Sequence, residues 1–315
     1  MPNTPTMLRQ TLLYLSNQPK IFRFVRNNGL AKKFASRFVP GETLESALEV
    51  VRSLNGRGMT SSLDLLGESV RNEDEARAAA QEYIRILDRI EEQKLDANVS
   101  LKLTQMGLDI SEDLCAELMH DILSRARDYK TFVRLDMESS EYTERTLRMF
   151  EDRLYPNYPE NVGIVLQSYL FRTQADVDRA IELHCRVRLC KGAYKEPATL
   201  AYPEKRDVDA NYVRCMHKLL LEGNYPGIAT HDPAMLAEAK RFVSDQKIER
   251  SRFEFQMLYG IRRDLQEELV REGYNLRVYV PFGTQWYPYL MRRLAERPAN
   301  VAFIAGSVMR EMVGR

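Results

Sequence analysis

No run of about 18 or more apolar residues occurs in the chain, so no membrane-spanning helix is expected. The N-terminus carries neither an apolar signal core nor a cleavage site, which points to a cytoplasmic protein. Cysteine is scarce. Cys115, Cys185, Cys190 and Cys215 lack CxxC spacing and read as reduced, buried thiols. Histidine is equally scarce: His120, His184, His217 and His231 are scattered, form no ligand cluster, and predict no metal site. Both standard nucleotide loops are missing. Gly56-Arg-Gly58 precedes the first candidate strand, lacks a third glycine and reads as a turn, and no GxxxxGK[ST] occurs. A nucleotide cofactor would therefore have to be held by other means. Acid is absent from residues 1–41, which contain Arg9, Lys20, Arg23, Arg26, Lys32, Lys33 and Arg37.

That segment carries +7 in a chain of net charge +1, leaving −6 for the remainder. It also holds Leu12, Leu13, Tyr14, Ile21, Phe22, Phe24, Val25, Phe34 and Phe38. Cations interleaved with bulky apolar groups suit peripheral contact with an anionic membrane, at the inner face of the cytoplasmic membrane. The plainer alternative is ordinary helices packed beside the core. Nucleic acid is not expected as a partner, because the main body is slightly acidic and shows no binding motif. The rest is ordinary globular composition, 44% hydrophobic and 29% charged over 315 residues. The division expected is a basic N-terminal helical segment over 1–42 and a catalytic unit over 43–315.

From residue 43 onward, strand-length and helix-length patterns alternate. Apolar runs of strand length begin at Thr60, Val99, Phe132, Val162, Val187, Gly227, Phe253 and Leu276, about 23 to 40 residues apart. Helical periodicity fills the gaps, and Asp232-Pro233 offers an N-cap with proline at the first helical position. Alternation at this spacing implies parallel strands with crossover helices. Eight units match an α/β fold of the (βα)8 barrel type.

Such a barrel works at the C-terminal ends of its strands, and here those ends are polar. Val99-Ser-Leu-Lys-Leu-Thr104 embeds Lys102 in a strand pattern, with Ser100, Lys102 and Thr104 on one face. Asp136 ends the third strand, and the two charges are expected to neutralise each other. Glu68 lies past the first strand and Gln167 ends the fourth. The fifth delivers Arg188, Lys191, Gly192, Ala193 and Tyr194, its small residues admitting a flat ligand. His231, Gln256, Leu258 and Tyr279 end the last three strands. The final predicted helix, Thr284–Arg297, reverses the usual rule. Tyr289, Arg292, Arg293 and Glu296 occupy the i, i+3, i+4, i+7 positions that normally form an apolar stripe. A solvated face is the plain reading. If that face meets the barrel rim, Lys102 and the two arginines form a cationic pocket suited to a carboxylate.

As a set, the stretches "VSLKL", "RLDMES", "VLQSYL", "VRLCKGAY", "ATHD", "FEFQML", "YVPFG" and "YLMRRLAER" resemble the proline dehydrogenase family, flavin-dependent enzymes of proline catabolism. The resemblance runs from about residue 60 to residue 300. It implies a distorted (βα)8 barrel with N-terminal helices and the last barrel helix over the mouth. It implies FAD as cofactor, L-proline as substrate, Δ1-pyrroline-5-carboxylate as product and a quinone as electron acceptor. Arg292, Arg293 and Lys102 would bind the substrate carboxylate, with Asp136 supporting them. Tyr194, Leu258, Tyr279 and Tyr289 would enclose the ring, and Glu68 would gate the site by pairing with Arg292. Gln167, Arg188, Lys191, Gly192, Ala193, Tyr194, His231, Gln256 and Glu296 fall where the family binds FAD.

Three rivals stand beside this reading. A Schiff-base aldolase would use Lys102 or Lys191 at a strand end. A non-catalytic barrel would bind carboxylates or dock on a membrane. Hydroxyproline is the competing substrate within the flavoenzyme reading.

Overall fold

In a computed structural model, residues 35–67 and 69–296 are described, apart from the side chains of 292–296. Eight parallel strands close into a barrel in sequence order. They are β1 (Thr60–Leu65), β2 (Ala97–Leu101), β3 (Val133–Leu135), β4 (Val162–Gln167), β5 (Arg186–Cys190), β6 (Gly227–Ala229), β7 (Glu254–Leu258) and β8 (Leu276–Phe282). The (βα)8 expectation is met. The described helices are α1 (Leu44–Asn55), α2 (Glu73–Glu92), α3 (Glu112–Asp128), α4 (Ser140–Arg148), α5 (Thr173–Glu182), α6 (Lys205–Glu222), α7 (Pro233–Asp245), α8 (Arg263–Arg271) and α9 (Trp286–Glu296).

Several boundaries differ from expectation. The second strand stops at Leu101, and Leu103–Met106 form a 3-10 turn, so Thr104 does not share a strand face with Ser100 and Lys102. The third strand is only Val133–Leu135, because Asp136 and its neighbours turn into the rim. The helix after the third strand, Ser140–Arg148, continues as a π-helical turn over Met149–Leu154. As predicted, Asp232 caps α7, accepting from Ala234 N–H at 3.0 Å ahead of Pro233. The expected N-terminal helices lie outside the described residues, except for 35–42.

Alternate strand residues separate into an apolar outer set and a polar inner set. Leu63, Val99, Leu101, Val133, Leu135, Leu189, Phe255, Met257, Val278 and Val280 are buried in the main core between sheet and helices. Each such side chain contributes roughly 1.5–3 kcal/mol of burial. The intervening residues face the barrel axis, since they bond to strands that are not their neighbours. Arg188 of β5 reaches Ser100 of β2 at 3.0 Å and Asp136 beyond β3 at 2.6 Å. Arg134 of β3 crosses β4 to the Arg186 carbonyl at 2.7 Å. Gly163 permits that crossing, because a Cβ there would lie 2.9 Å from the Arg134 Nη1 and 2.4 Å from the Arg186 oxygen. In the lower barrel, Glu254 accepts from Arg277 Nε at 2.8 Å and from Gln256 Nε2 at 2.6 Å.

The entry into the barrel determines where its last helix goes. Helix α1 buries Leu44, Ala47, Leu48, Val51 and Leu54, an i, i+3, i+4 stripe, against β1 and β8. A helix following β8 would ordinarily take that seat. With the seat filled, α9 must lie elsewhere. It stays at the C-terminal rim, where Gly283 N–H donates to the Gly41 carbonyl at 3.1 Å and Trp286 Nε1 donates to Glu42 at 3.0 Å.

The buried Glu254–Arg277 pair yields a stability prediction. Burial alone would raise the Glu254 carboxyl, but Arg277, with Arg134 behind it, draws it below its ordinary value. A lowered carboxylate stabilises the fold above its unfolded pKa, and that stability is lost as pH falls through the folded value. Glu254→Gln should cost about 3–5 kcal/mol at neutral pH by leaving a buried arginine uncompensated. It should also flatten the loss of stability in acid. Urea midpoints of both proteins across the acid range check both outcomes.

Candidate functional site

The site grows from the C-terminal ends of β1, β2, β3, β5, β7 and β8. Its floor is the Arg188 guanidinium, whose fork contacts three groups at once. Nε donates to Gln256 at 2.5 Å, Nη1 to Asp136 at 2.6 Å and Nη2 to the Ser100 hydroxyl at 3.0 Å. Ser100 shares a further 2.8 Å hydrogen bond with Ser62. Asp136 accepts a second bond at its other oxygen, from the Tyr279 hydroxyl at 2.7 Å. Arg188 also lies over the Tyr279 ring, 5.2 Å from its centroid. The Tyr279 ring is thus held by its hydroxyl and by its face, while strand register sets Leu258 beside it. Burial, with Asp136 and Asp64 adding to it, pushes the Tyr279 hydroxyl well above its ordinary value, so it stays protonated and donates.

Lys102 stands one residue past β2. The expected Lys102–Asp136 pair needs correction. Lys102 donates to Asp64 of β1 at 3.3 Å, and the oxygens of Asp136 are engaged by Arg188 and Tyr279. Asp64 is nearly inaccessible, whereas the Lys102 side chain keeps 22% exposure and so remains available at the mouth. Burial opposes the Lys102 charge, but Asp64, and Asp136 beyond it, outweigh burial and raise its pKa above the ordinary value. Burial likewise raises Asp64, against the lowering effect of Lys102. Glu138, just past β3, accepts from Thr104 at 2.8 Å, and burial raises it.

A second cluster edges the mouth around β5. Lys191 bridges Asp209 at 2.5 Å and Asp232 at 2.8 Å. His231 Nε2 accepts from Leu258 N–H at 2.8 Å, which places its ring proton on Nδ1. Gly192 has φ +107°, and a Cβ there would sit 2.4 Å from the Tyr169 ring. Gln167 is buried, and its Oε1 has no hydrogen-bond partner among the described residues. Tyr194 is 40% exposed and close enough to raise the Lys102 pKa. Tyr289 on α9 is buried, not on a solvated face. The helix places positions 292, 293 and 296 on its backbone, but the side chains of Arg292, Arg293 and Glu296, and all of Glu68, lie outside the described residues.

The structure therefore gathers Lys102, Asp136, Arg188, Gln256, Leu258 and Tyr279 around one mouth, with Gln167, Lys191, Gly192, Ala193, Tyr194 and His231 along its β4–β6 side. Sequence reasoning placed Ser100 on the face of Lys102 without giving it a role, and missed Asp64, Ser62, Glu254, Arg277 and Asp209. A signal for most of them was present in the strands. Ser62 and Asp64, Ser100 and Lys102, Arg134 and Asp136, and Glu254 and Gln256 alternate with apolar residues.

Comparisons with known proteins agree on one family. The family described as proline dehydrogenase matches residues 47–306. Proline dehydrogenase 1 of Bacillus subtilis is 43% identical over 305 residues, covering 97% of this chain and 100% of that protein. The proline dehydrogenase of Deinococcus radiodurans is 39% identical, covering 96% of this chain and 98% of its own length. Among solved structures, proline utilization A from Bdellovibrio bacteriovorus inactivated by N-propargylglycine superposes with TM-score 0.81 at 25% identity. That match covers 94% of this chain and 39% of the longer protein.

The ion pair that Lys102 makes with the buried Asp64 carboxylate weighs against Schiff-base chemistry at Lys102. A nucleophilic lysine needs a depressed pKa, and this one is raised. Borohydride added with a carbonyl substrate at neutral pH should leave the protein mass unchanged, and a stable adduct on Lys102 by mass spectrometry would reverse that reading.

Proposed function

The chain belongs to the proline dehydrogenase family, and we propose from that premise that it oxidises L-proline to Δ1-pyrroline-5-carboxylate, with FAD accepting the hydride and a quinone receiving the electrons. As a member of the family it is an oxidoreductase. The observation that carries the finer reading is the mouth itself. A partly exposed Lys102, braced by Asp64, stands above the Asp136–Arg188–Tyr279 cluster. Among the described residues, Lys102 is a partly exposed cation at the mouth, suited to anchor a small carboxylate.

In this reading, Lys102 with Arg292 and Arg293 holds the substrate carboxylate, and Glu68 closes the site by pairing with Arg292. Tyr194, Leu258, Tyr279 and Tyr289 enclose the ring. Tyr279 cannot swing aside, because its hydroxyl is bound to Asp136. That rigidity favours unsubstituted proline over hydroxyproline. Cations around the carboxylate also lower the ammonium pKa of the substrate, which favours the neutral amine that hydride loss requires.

FAD, when bound, supplies the hydride acceptor at its ring nitrogen N5. The residues present fit such a group. The unpartnered Gln167 Oε1 suits a donor on a ligand, and Gly192 lets one approach the β5 backbone closely. Arg188 at the floor favours negative charge developing above it. Lys191, Ala193, His231, Gln256 and Glu296 complete the proposed set. Gln256 and Lys191 act first on the protein, orienting Arg188 and tying α6 to α7 through Asp209 and Asp232.

We place the enzyme in the cytoplasm, with residues 1–41 as a peripheral contact to an anionic membrane. Residues 1–34 of that segment lie outside the described residues, and among the described residues no helix is long and apolar enough to cross a membrane.

The purified protein should be yellow, and L-proline added without oxygen should bleach the flavin band. A colourless, intact protein with no proline turnover would end this reading. Lys102→Met should raise KM for L-proline by about 10- to 150-fold, the equivalent of one charge-assisted bond of roughly 1.5–3 kcal/mol. Arg292→Met and Arg293→Met should act in the same direction with flavin retained. Steady-state kinetics with an artificial acceptor and a flavin absorbance count test all three.

A further inference from the structure

We propose that Glu196 is a positioning residue, a carboxylate latch that holds the β5–α6 loop against the barrel mouth and so sets Gly192, Ala193 and Tyr194 in place. The proposal rests on the reading of that mouth as the proline and flavin site.

The loop leaves β5 at Lys191 and reaches α6 at Lys205. Most of it is exposed, including Ala193, Tyr194, Lys195, Pro197 and Leu200, whereas Glu196 in its middle is half-buried. Both shoulders of the loop hang on one residue of the neighbouring strand connection. Tyr169 N–H donates to the Lys191 carbonyl at 2.9 Å, and Tyr202 N–H donates to the Tyr169 carbonyl at 2.8 Å. Between those anchors the Leu200 carbonyl accepts from Phe171 N–H at 3.0 Å, and Glu196 ties down the middle of the loop. Its Oε1 accepts from the Ser140 backbone N–H at 2.9 Å and from the Tyr169 hydroxyl at 3.1 Å. Its Oε2 accepts from the Ser140 hydroxyl.

Ser140 is the first residue of α4, and the preceding Ser139 makes no side-chain cap. Glu196 therefore acts as the helix cap from a distant loop, satisfying an N–H that the helix leaves open. The positive end of α4 favours a carboxylate there. The same Tyr169 whose hydroxyl meets Glu196 lays its ring against Gly192. One carboxylate thus joins the α4 N-terminus, the β4–α5 connection and the β5–α6 loop. Two residues before it stands Tyr194, which adds to the raising of the Lys102 pKa behind Asp64 and Asp136. No catalytic step needs Glu196. Its effect reaches substrate and cofactor through the loop it holds.

The test uses the full-length flavoprotein and four variants, the fourth combining Glu196→Ala with Ser140→Ala. Glu196→Ala removes the latch, Ser140→Ala/Tyr169→Phe removes two of its three donors, and Ser140→Ala removes one. Loss of charge-assisted bonds of this kind should raise KM for L-proline and the flavin dissociation constant about tenfold in Glu196→Ala, with kcat within about threefold of the parent. The double variant should follow in the same direction. Adding Ser140→Ala to Glu196→Ala should change nothing further, as expected for groups that act as one unit. Trypsin cleavage after Lys195 should accelerate in Ser140→Ala/Tyr169→Phe, where the residues around the cleaved bond are unaltered.

Unchanged KM, flavin affinity and cleavage rate would overturn the latch. So would a fall in melting temperature that lowers the apparent kcat with KM and flavin affinity unchanged, since that marks loss of folded enzyme rather than a misplaced loop. A parent protein without flavin or proline turnover refutes the functional reading instead, and the cleavage comparison still decides the latch.

Discussion

The Arg188 guanidinium inside the barrel is the constraint on which the site depends. A cation there is tolerable only if its donors are matched, because a buried unpaired charge costs several kcal/mol. Ser100, Asp136 and Gln256 supply the match from three directions. Each of these groups is then oriented by the arginine in return. Asp136 has one oxygen left for the Tyr279 hydroxyl, and Gln256 turns its amide toward Glu254. The mouth is built on that floor. Lys102 pairs with Asp64 at the mouth, and its side chain stays partly exposed.

A polar barrel interior has a structural consequence. Barrels of this class usually fill their axis with branched apolar side chains. Here the axis carries Ser62, Ser100, Arg134, Arg188, Glu254, Gln256 and Arg277, so stability has to come from the outer sheet faces and the helices over them. That division suits a site at one end. The apolar shell holds the cylinder closed, and the axial network orients the groups that reach the mouth.

The extra helix at the start of the barrel matters for the same reason. Because α1 packs against β1 and β8, the chain that leaves β8 is denied the ordinary outer seat. Glu42 and Gly41, which lead into α1, are also the groups that hold Trp286 and Gly283. The beginning and end of the described chain therefore secure each other at the C-terminal rim of the barrel.

The amino-acid sequence alone determined the eight-unit barrel, the family, and the roster of polar residues at strand ends. These are local matters: strand–helix alternation, side-chain period and short motifs are all written within a few tens of residues. Only the tertiary structure decided who pairs with whom. Lys102 and Asp136 sit on adjacent strands and invite pairing, yet closure of the barrel brings Arg188 of β5 across the axis to Asp136 and leaves Lys102 to Asp64. Strand boundaries at β2 and β3 escaped the sequence because a polar rim residue can extend a ladder or leave it, and its distant partners settle which. Glu196 is the clearest case. Within "YKEP" it reads as one more loop charge, and only the folded chain brings it to Ser140 and Tyr169. Charge pairing depends on distances through space between residues far apart in sequence, and only closure of the barrel sets those distances.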